Sequence, residues 1–181
     1  PKFDLESIQR FPDVIAPGEP VIVTEKIHGS SSRYLFLDGM FYMGSRARWL
    51  KPNASHPWKR AADTDARIRQ WCEAYPGVVL YGEIYGAVQS LKYGCRHGDI
   101  RFAAFAALIN GKWMDTGQLL AEPIESIATV PVIYRGPYGP EVLALAEMDS
   151  SVLTADPGHM REGIVIVPER ERRDENVGRV A

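Results

Sequence analysis

Residues 34–43 read YLFLDGMFYM, two short apolar runs joined by Asp38-Gly39. Asp-Gly supplies the positive φ angles of a two-residue turn, so Tyr34–Leu37 and Met40–Met43 form a hairpin. Further along, Phe102–Ile109 meets Asn110-Gly111 and continues as Lys112–Met114, which is a second hairpin. Val21–Ile27 and Val78–Tyr85 read as strands, and Ile164–Val167 as a short, wholly apolar one. Between Pro57 and Tyr75 the period changes: Ile68, Trp71, Cys72 and Tyr75 share one face of an amphipathic helix. Thr116 can cap a helix that Pro123 interrupts, and Glu141–Met148 is helical in pattern. Hairpins outnumber strand–helix–strand units. The expected fold is therefore α+β, with antiparallel sheets and flanking helices rather than a doubly wound sheet.

Composition narrows the function classes. An apolar content of 45% and a charged content of 24% over 181 residues suit one sizeable globular domain. No apolar run reaches the length of a membrane span, and no basic-then-apolar leader opens the chain. A membrane partner is therefore not expected. Two cysteines, Cys72 and Cys95, make no disulfide framework, so a reducing, cytoplasmic (intracellular) setting is expected. A net charge of −2 leaves no global field for nucleic acid, and such a partner must be met by a local patch. No Gly-rich loop leads from a strand into a helix, which excludes a P-loop or dinucleotide fold.

The chemistry gathers around Lys26. It ends an apolar strand in VTEKIHGSSSRY and is followed by His28, Gly29 and three serines. A lysine amine attacks only when neutral, and burial or a neighbouring cation favours that form. Gly29 permits close backbone approach, while Ser30, Ser31 and Ser32 can donate to phosphate or ribose oxygens. Alone, this lysine reads better as a solvated residue on an edge strand. Other segments shift that balance. LYGEIYG places Glu83 inside an aromatic strand, and REGIVIV places Glu162 at the mouth of an apolar one. Each carboxylate alone could simply face solvent. Together with a lysine, the two could hold a hydrated divalent cation against a triphosphate. Arg46 and Arg48 follow a strand in GSRARWL and can grip phosphates. Phe105, between alanines in RFAAFAAL, is either core or a platform for a base.

In order, these segments resemble the nucleotidyltransferase motifs of the ATP-dependent RNA ligases, in the branch whose nucleophile motif reads Lys-x-His-Gly. EKIHGSSSRY is similar to motif I, GSRARW to the arginine motif, and YGEIYGAVQSLKYG to motif III with its extension through Gln89 and Tyr93. FAAFAALINGKW resembles the adenine-stacking segment and REGIVIV resembles motif IV. The resemblance runs from Val21 to Val167 and implies a nucleotidyltransferase domain of the ATP-grasp-like ligase type. It implies that Lys26 attacks the α-phosphate of ATP to give a lysyl-AMP. Glu25, Ile27 and the backbone beside them would border the adenine, on which Phe105 would stack. His28, Gly29, Ser31 and Arg46 would lie near phosphate or ribose, and Glu83 on the ribose or a metal-bound water. Glu162, with Glu83, would hold Mg2+ (or Mn2+). The AMP would pass to an RNA 5′-phosphate, and a 3′-hydroxyl would displace it to seal the strand.

Three departures from the family pattern stand out. Ser31 replaces an Asn common in the closest branch, and Ala106 replaces an acid that usually follows the stacking Phe. The chain stops at ENVGRVA, about where the lysine-bearing motif V should begin. The expectation is a single nucleotidyltransferase domain over 1–181, without motif V or an appended domain. Two further readings remain: a nucleotide- or RNA-binding module without turnover, and a DNA ligase-type or capping nucleotidyltransferase, which normally has Asp at position 28. A hydrolase using Glu83 and Glu162 as acid and base leaves Lys26 and Arg46 without a role. Arg46, Arg48, Lys51, Lys59 and Arg60, interleaved with Trp49 and Trp58, make either a basic stacking patch or a loop with solvated charges.

Overall fold

In the computed structural model, which describes residues 1–121, 127–147, 150–156 and 158–180, two antiparallel sheets carry the fold. The larger has five strands, β2 (Ser30–Leu37), β3 (Met40–Ser45), β4 (Val79–Gly86), β5 (Ile100–Ile109) and β6 (Lys112–Trp113), in the order β3-β2-β4-β5-β6. Both hairpin turns form as the sequence predicts: Asp38, Gly39, Asn110 and Gly111 all have positive φ. The smaller sheet centres on β1 (Pro20–Lys26), flanked by β7 (Val132–Pro137) and β8 (Gly163–Pro168). A two-residue pair, β9 (Arg173–Asp174) and β10 (Gly178–Arg179), has no sequence signal strong enough to anticipate.

The helical stretch after Pro57 is two helices rather than one, α1 (Pro57–Thr64) and α2 (Ala66–Ala74). Asp65 breaks them apart. Its backbone is extended, and its carboxylate accepts from the Arg67 amide, the local competition that keeps Asp out of helix interiors. Most of the apolar stripe packs as read: Ile68, Trp71 and Cys72 join Tyr34, Leu80, Ile84 and Phe102 in one core, while Tyr75 caps the end of α2 and is exposed. The later helices are short. α3 (Thr116–Ala121) starts on Thr116 itself, and the Gln118 and Leu119 amides both bond the Asp115 carbonyl. Residue 123 lies outside the described residues. α4 (Pro140–Ala144) passes into a 3₁₀ turn at Leu145–Glu147, and residue 148 of the expected helix also lies outside the described residues.

One segment ties the sheets together. The Ala104 amide on β5 donates to the Ala128 carbonyl, and the Val130 amide returns a bond to the Ala104 carbonyl. The Glu25 amide on β1 then donates to the Pro131 carbonyl. This bridge sets the end of β1 over the middle of β4 and β5, and the gap between them is the site. Alternation along β1 decides which side chains enter the gap. Val21 and Val23 join Ile15, Val142 and Val180 in a core on the far face, while Thr24 and Lys26 point the other way.

Candidate active site

All ten residues singled out in the sequence line one cleft of about 340 Å³: Glu25, Lys26, Ile27, His28, Gly29, Ser31, Arg46, Glu83, Phe105 and Glu162. Strand register explains the convergence. Lys26 pairs with Gly163 across β1 and β8, so Glu162 lies one step beyond. Ser31 pairs with Glu83 across β2 and β4, and Glu83 with Ala103 across β4 and β5. Lys26 and Glu162, more than a hundred positions apart, thus meet by register in the small sheet, as Ser31 and Glu83 do in the large one.

Lys26 Nζ donates to Glu162 Oε1 at 2.7 Å, and the lysine side chain keeps 48% of its surface exposed. The lysine is thus partly exposed, and its amine is open to an incoming phosphate. The second oxygen of Glu162 stands 3.7 Å from His28 Nδ1, and His28 Nε2 is 3.2 Å from the Ser90 hydroxyl. Gly29 is required by close approach. A Cβ there would fall 2.2 Å from the Ile84 carbonyl oxygen and 2.8 Å from Glu83 Cγ.

Glu83 is pushed up to about 8, first by burial and then by the negative charge of Glu162, against the pull of the Gly29 amide and Lys26. A buried carboxyl raised in this way by a neighbouring carboxylate makes a site that gains by taking up a cation. Among the described residues no group of three His, Cys, Asp or Glu side chains is placed to hold a metal ion by itself. The pair does suit magnesium, which keeps most of its water and takes one or two carboxylates together with substrate phosphates.

Ser32 sits differently from the sequence reading, and Glu25 and Ser31 are each held by partners within the protein. Glu25 lines the cleft with its side chain buried. Its oxygens accept from the Ser151 hydroxyl at 2.6 Å and the Val152 amide at 2.9 Å. Ser32 is also buried, and its hydroxyl donates to the Gly82 carbonyl at 2.8 Å, so it is not available to a phosphate. Ser31 lines the cleft, and its carbonyl accepts the Trp58 indole N–H at 3.0 Å. That bond makes Trp58 an anchor. Lys59 is paired with Asp63, Arg60 donates to the Gly98 carbonyl, and the Arg33 guanidinium lies 4.6 Å from the Trp49 ring. Much of the proposed basic patch is thus held within the protein.

The sequence reading missed the chain's own first residues. Phe3, Asp4 and Leu5 line the cleft. Phe3 lies 4.6 Å from Phe105, centroid to centroid, and is edge-on to Trp113 at 5.3 Å, with the Arg179 guanidinium 4.4 Å from its ring. Asp4 takes the Arg46 guanidinium, with Nε donating to Oδ1 at 2.8 Å. The candidate base platform and the candidate phosphate ligand are therefore both engaged by one segment. No local pattern in residues 1–5 announces this. Thr24, Val165 and Val167, also in the lining, were legible in principle from the two-residue period of β1 and β8.

Known proteins place this arrangement in a class. The chain belongs to the RNA ligase family, whose profile matches residues 19–181. The fold is that of Naegleria gruberi RNA ligase. An apo lysine-to-alanine variant of that enzyme superposes with a TM-score of 0.76 at 19% identity, over 94% of this chain and 53% of that one. Variants of the same enzyme solved with ATP and Mn and with AMP and Mn give TM-scores of 0.74 and 0.76, each at 20% identity with the same coverage. The chain thus spans about half the length of the structures it matches. No curated protein matches it by sequence.

Proposed function

We propose that this chain is the nucleotidyltransferase domain of an ATP-dependent RNA ligase, with Lys26 as the residue that accepts AMP. The observation that carries the reading is the corner where Lys26 meets Glu162 at 2.7 Å, half open to solvent and facing Glu83 across the cleft. Family membership and the ATP- and AMP-bound neighbours support it.

The chain's own groups account for each requirement of the first step. Phe105 offers an aromatic face to the base, and Val130, Val165 and Val167 make the surrounding wall apolar. Gly29 lets the backbone come close to the phosphates, and Arg46 can grip them with two N–H groups. Lys26 Nζ attacks the α-phosphorus, forming a P–N bond as the bond to the pyrophosphate oxygen breaks. Glu162 orients that amine by its hydrogen bond. Glu83 and Glu162 are the residues that would hold Mg2+ or Mn2+. When bound, the cation supplies positive charge that favours the neutral amine and stabilises charge on the α-phosphate. Glu25 borders the cleft beside the base, and its carboxylate clamps β1 through Ser151 and Val152.

The acceptor in the second step is an RNA 5′-phosphate, and an RNA 3′-hydroxyl then displaces AMP to seal the strand. The test is ligation of RNA carrying 5′-phosphate and 3′-hydroxyl ends with ATP and magnesium, offered as a single strand and as a nicked duplex. Adenylylated or sealed RNA that disappears in Lys26→Ala supports the assignment. Tight ATP binding with neither product favours a nucleotide-binding module without turnover. Among the described residues no helix is long and apolar enough to cross a membrane.

A further inference from the structure

The loop between η1 (Leu145–Glu147) and β8 carries no residue that the ligase reading uses before Glu162, yet it grips the nucleophile stretch from both ends. An antiparallel bridge between Ser150 and Met160 and the bond from the Ser151 amide to the His159 carbonyl close this loop on itself. At one end of the stretch, Ser151 and Val152 hold the Glu25 carboxylate. At the other, the link runs through two residues. His159 Nε2 accepts from the Tyr93 amide at 2.8 Å, and the Tyr93 hydroxyl accepts from the His28 amide at 2.6 Å. Lys26 lies between these two fixed points.

Two features argue that the link is built rather than incidental. Tyr93 is fully buried yet has a φ of 50°, a conformation unfavourable for a bulky side chain and kept only where its surroundings enforce it. Its ring stands 5.5 Å from Tyr85 and 4.9 Å from His159, so packing fixes both the phenol and the imidazole. The tautomer follows from the partners. His159 Nδ1 lies 3.0 Å from the Met160 carbonyl, which only accepts, so Nδ1 carries the proton and Nε2 is left to receive the Tyr93 N–H.

We propose that His159 is a positioning residue for nucleotidyl transfer, holding the His28 backbone through Tyr93 while Ser151 holds Glu25, so that Lys26 meets the α-phosphate from a braced strand end. The proposal rests on Lys26 being the nucleophile. His159 itself acts at a distance, through Tyr93. A positioning role affects the rate at saturating ATP more than ATP affinity, because alignment matters most at the moment of attack.

The test compares wild type with His159→Ala, His159→Gln and Tyr93→Phe. Single-turnover lysyl-AMP formation, ATP affinity and melting temperature are measured for each. His159→Ala is expected to slow the chemical step by about tenfold, with ATP affinity within about twofold. Gln can place an amide oxygen near the position of Nε2 and is expected to recover most of the rate. Tyr93→Phe, which removes the acceptor for the His28 amide, should behave like His159→Ala, and the double variant should be no slower than the worse single one. Wild-type rates in His159→Ala, or equal losses in the Ala and Gln variants, would overturn the proposal. If His159→Ala does not fold, the contrast between His159→Gln and Tyr93→Phe decides in its place. Amide exchange at His28 reads the brace without any chemistry and should accelerate in Tyr93→Phe but not in His159→Gln. If wild type forms no lysyl-AMP, the nucleophile assignment fails, while the exchange measurement still decides whether the brace exists.

Discussion

Glu83→Gln isolates the electrostatics of the cleft without changing its shape. Burial and the charge of Glu162 push the Glu83 carboxyl up to about 8, from an ordinary 4.5. At neutral pH the free protein therefore carries Glu83 mainly as the neutral acid, and Gln is close to that form in size and polarity. The sign follows from linkage. A carboxyl raised in the folded state binds protons more tightly there than in the unfolded chain. Its protonated form thus adds stability below 4.5 that is lost as pH rises toward 8. Full ionisation costs the folded state about 4–5 kcal/mol on this scale. Gln cannot ionise and escapes that cost. In urea unfolding, the stability advantage of Glu83→Gln over wild type should grow by several kcal/mol between pH 5 and pH 8.5 and then level off. Parallel pH profiles for the two proteins would refute the reasoning, because they would mean that Glu83 ionises in the fold as it does in the unfolded chain. A second reading of the same linkage comes from nucleotide binding. Cation uptake between Glu83 and Glu162 favours the carboxylate, so binding of magnesium and ATP at pH 7 should release protons, seen as a dependence of binding heat on the ionisation enthalpy of the buffer.

Other perturbations separate the roles of neighbouring residues. Asp4→Asn removes the carboxylate that holds Arg46; an exposed pair is worth at most about 1 kcal/mol, so ATP should bind up to about fivefold more tightly. Weaker ATP binding in that variant would mean that Asp4 is itself a ligand. Gly29→Ala forces a Cβ to within 2.2 Å of the Ile84 carbonyl, and lysyl-AMP formation should fall at least tenfold, as followed by single-turnover labelling. Glu25→Ala leaves the Ser151 hydroxyl and Val152 amide without their acceptors, so it should cost about 2–4 kcal/mol in urea unfolding. A loss confined to ATP affinity, with stability intact, would instead place Glu25 at the base.

Much of the fold was readable because its signals are local. Asp38-Gly39 and Asn110-Gly111 specify tight turns whatever surrounds them, and both hairpins formed where those pairs stand. The site was readable for a different reason. Lys26, Glu83 and Glu162 are polar residues set in or beside apolar strands; register brings Lys26 to Glu162, and the segment from Ala128 to Pro131 sets that pair over Glu83. What stayed hidden depended on facing and on distant partners. Ser32 lies one step from Ser31, which lines the cleft, and the pattern of a strand with buried positions on both faces cannot tell the two sides apart. The helix break at Asp65 leaves no mark on the apolar period, whose residues Ile68, Trp71 and Cys72 all follow it. Phe3 on Phe105 and His159 on Tyr93 are contacts made across about a hundred residues and across 66, each with at least one partner outside any strand or helix.

The central claim is that Lys26 is the nucleophile, and covalent labelling addresses it most directly. The protein is incubated with α-labelled ATP and magnesium, denatured, digested and mapped by mass. The account predicts AMP on Lys26, released by added pyrophosphate and absent in Lys26→Ala. ATP bound in the cleft with no covalent label, or label on a residue other than Lys26, would contradict it.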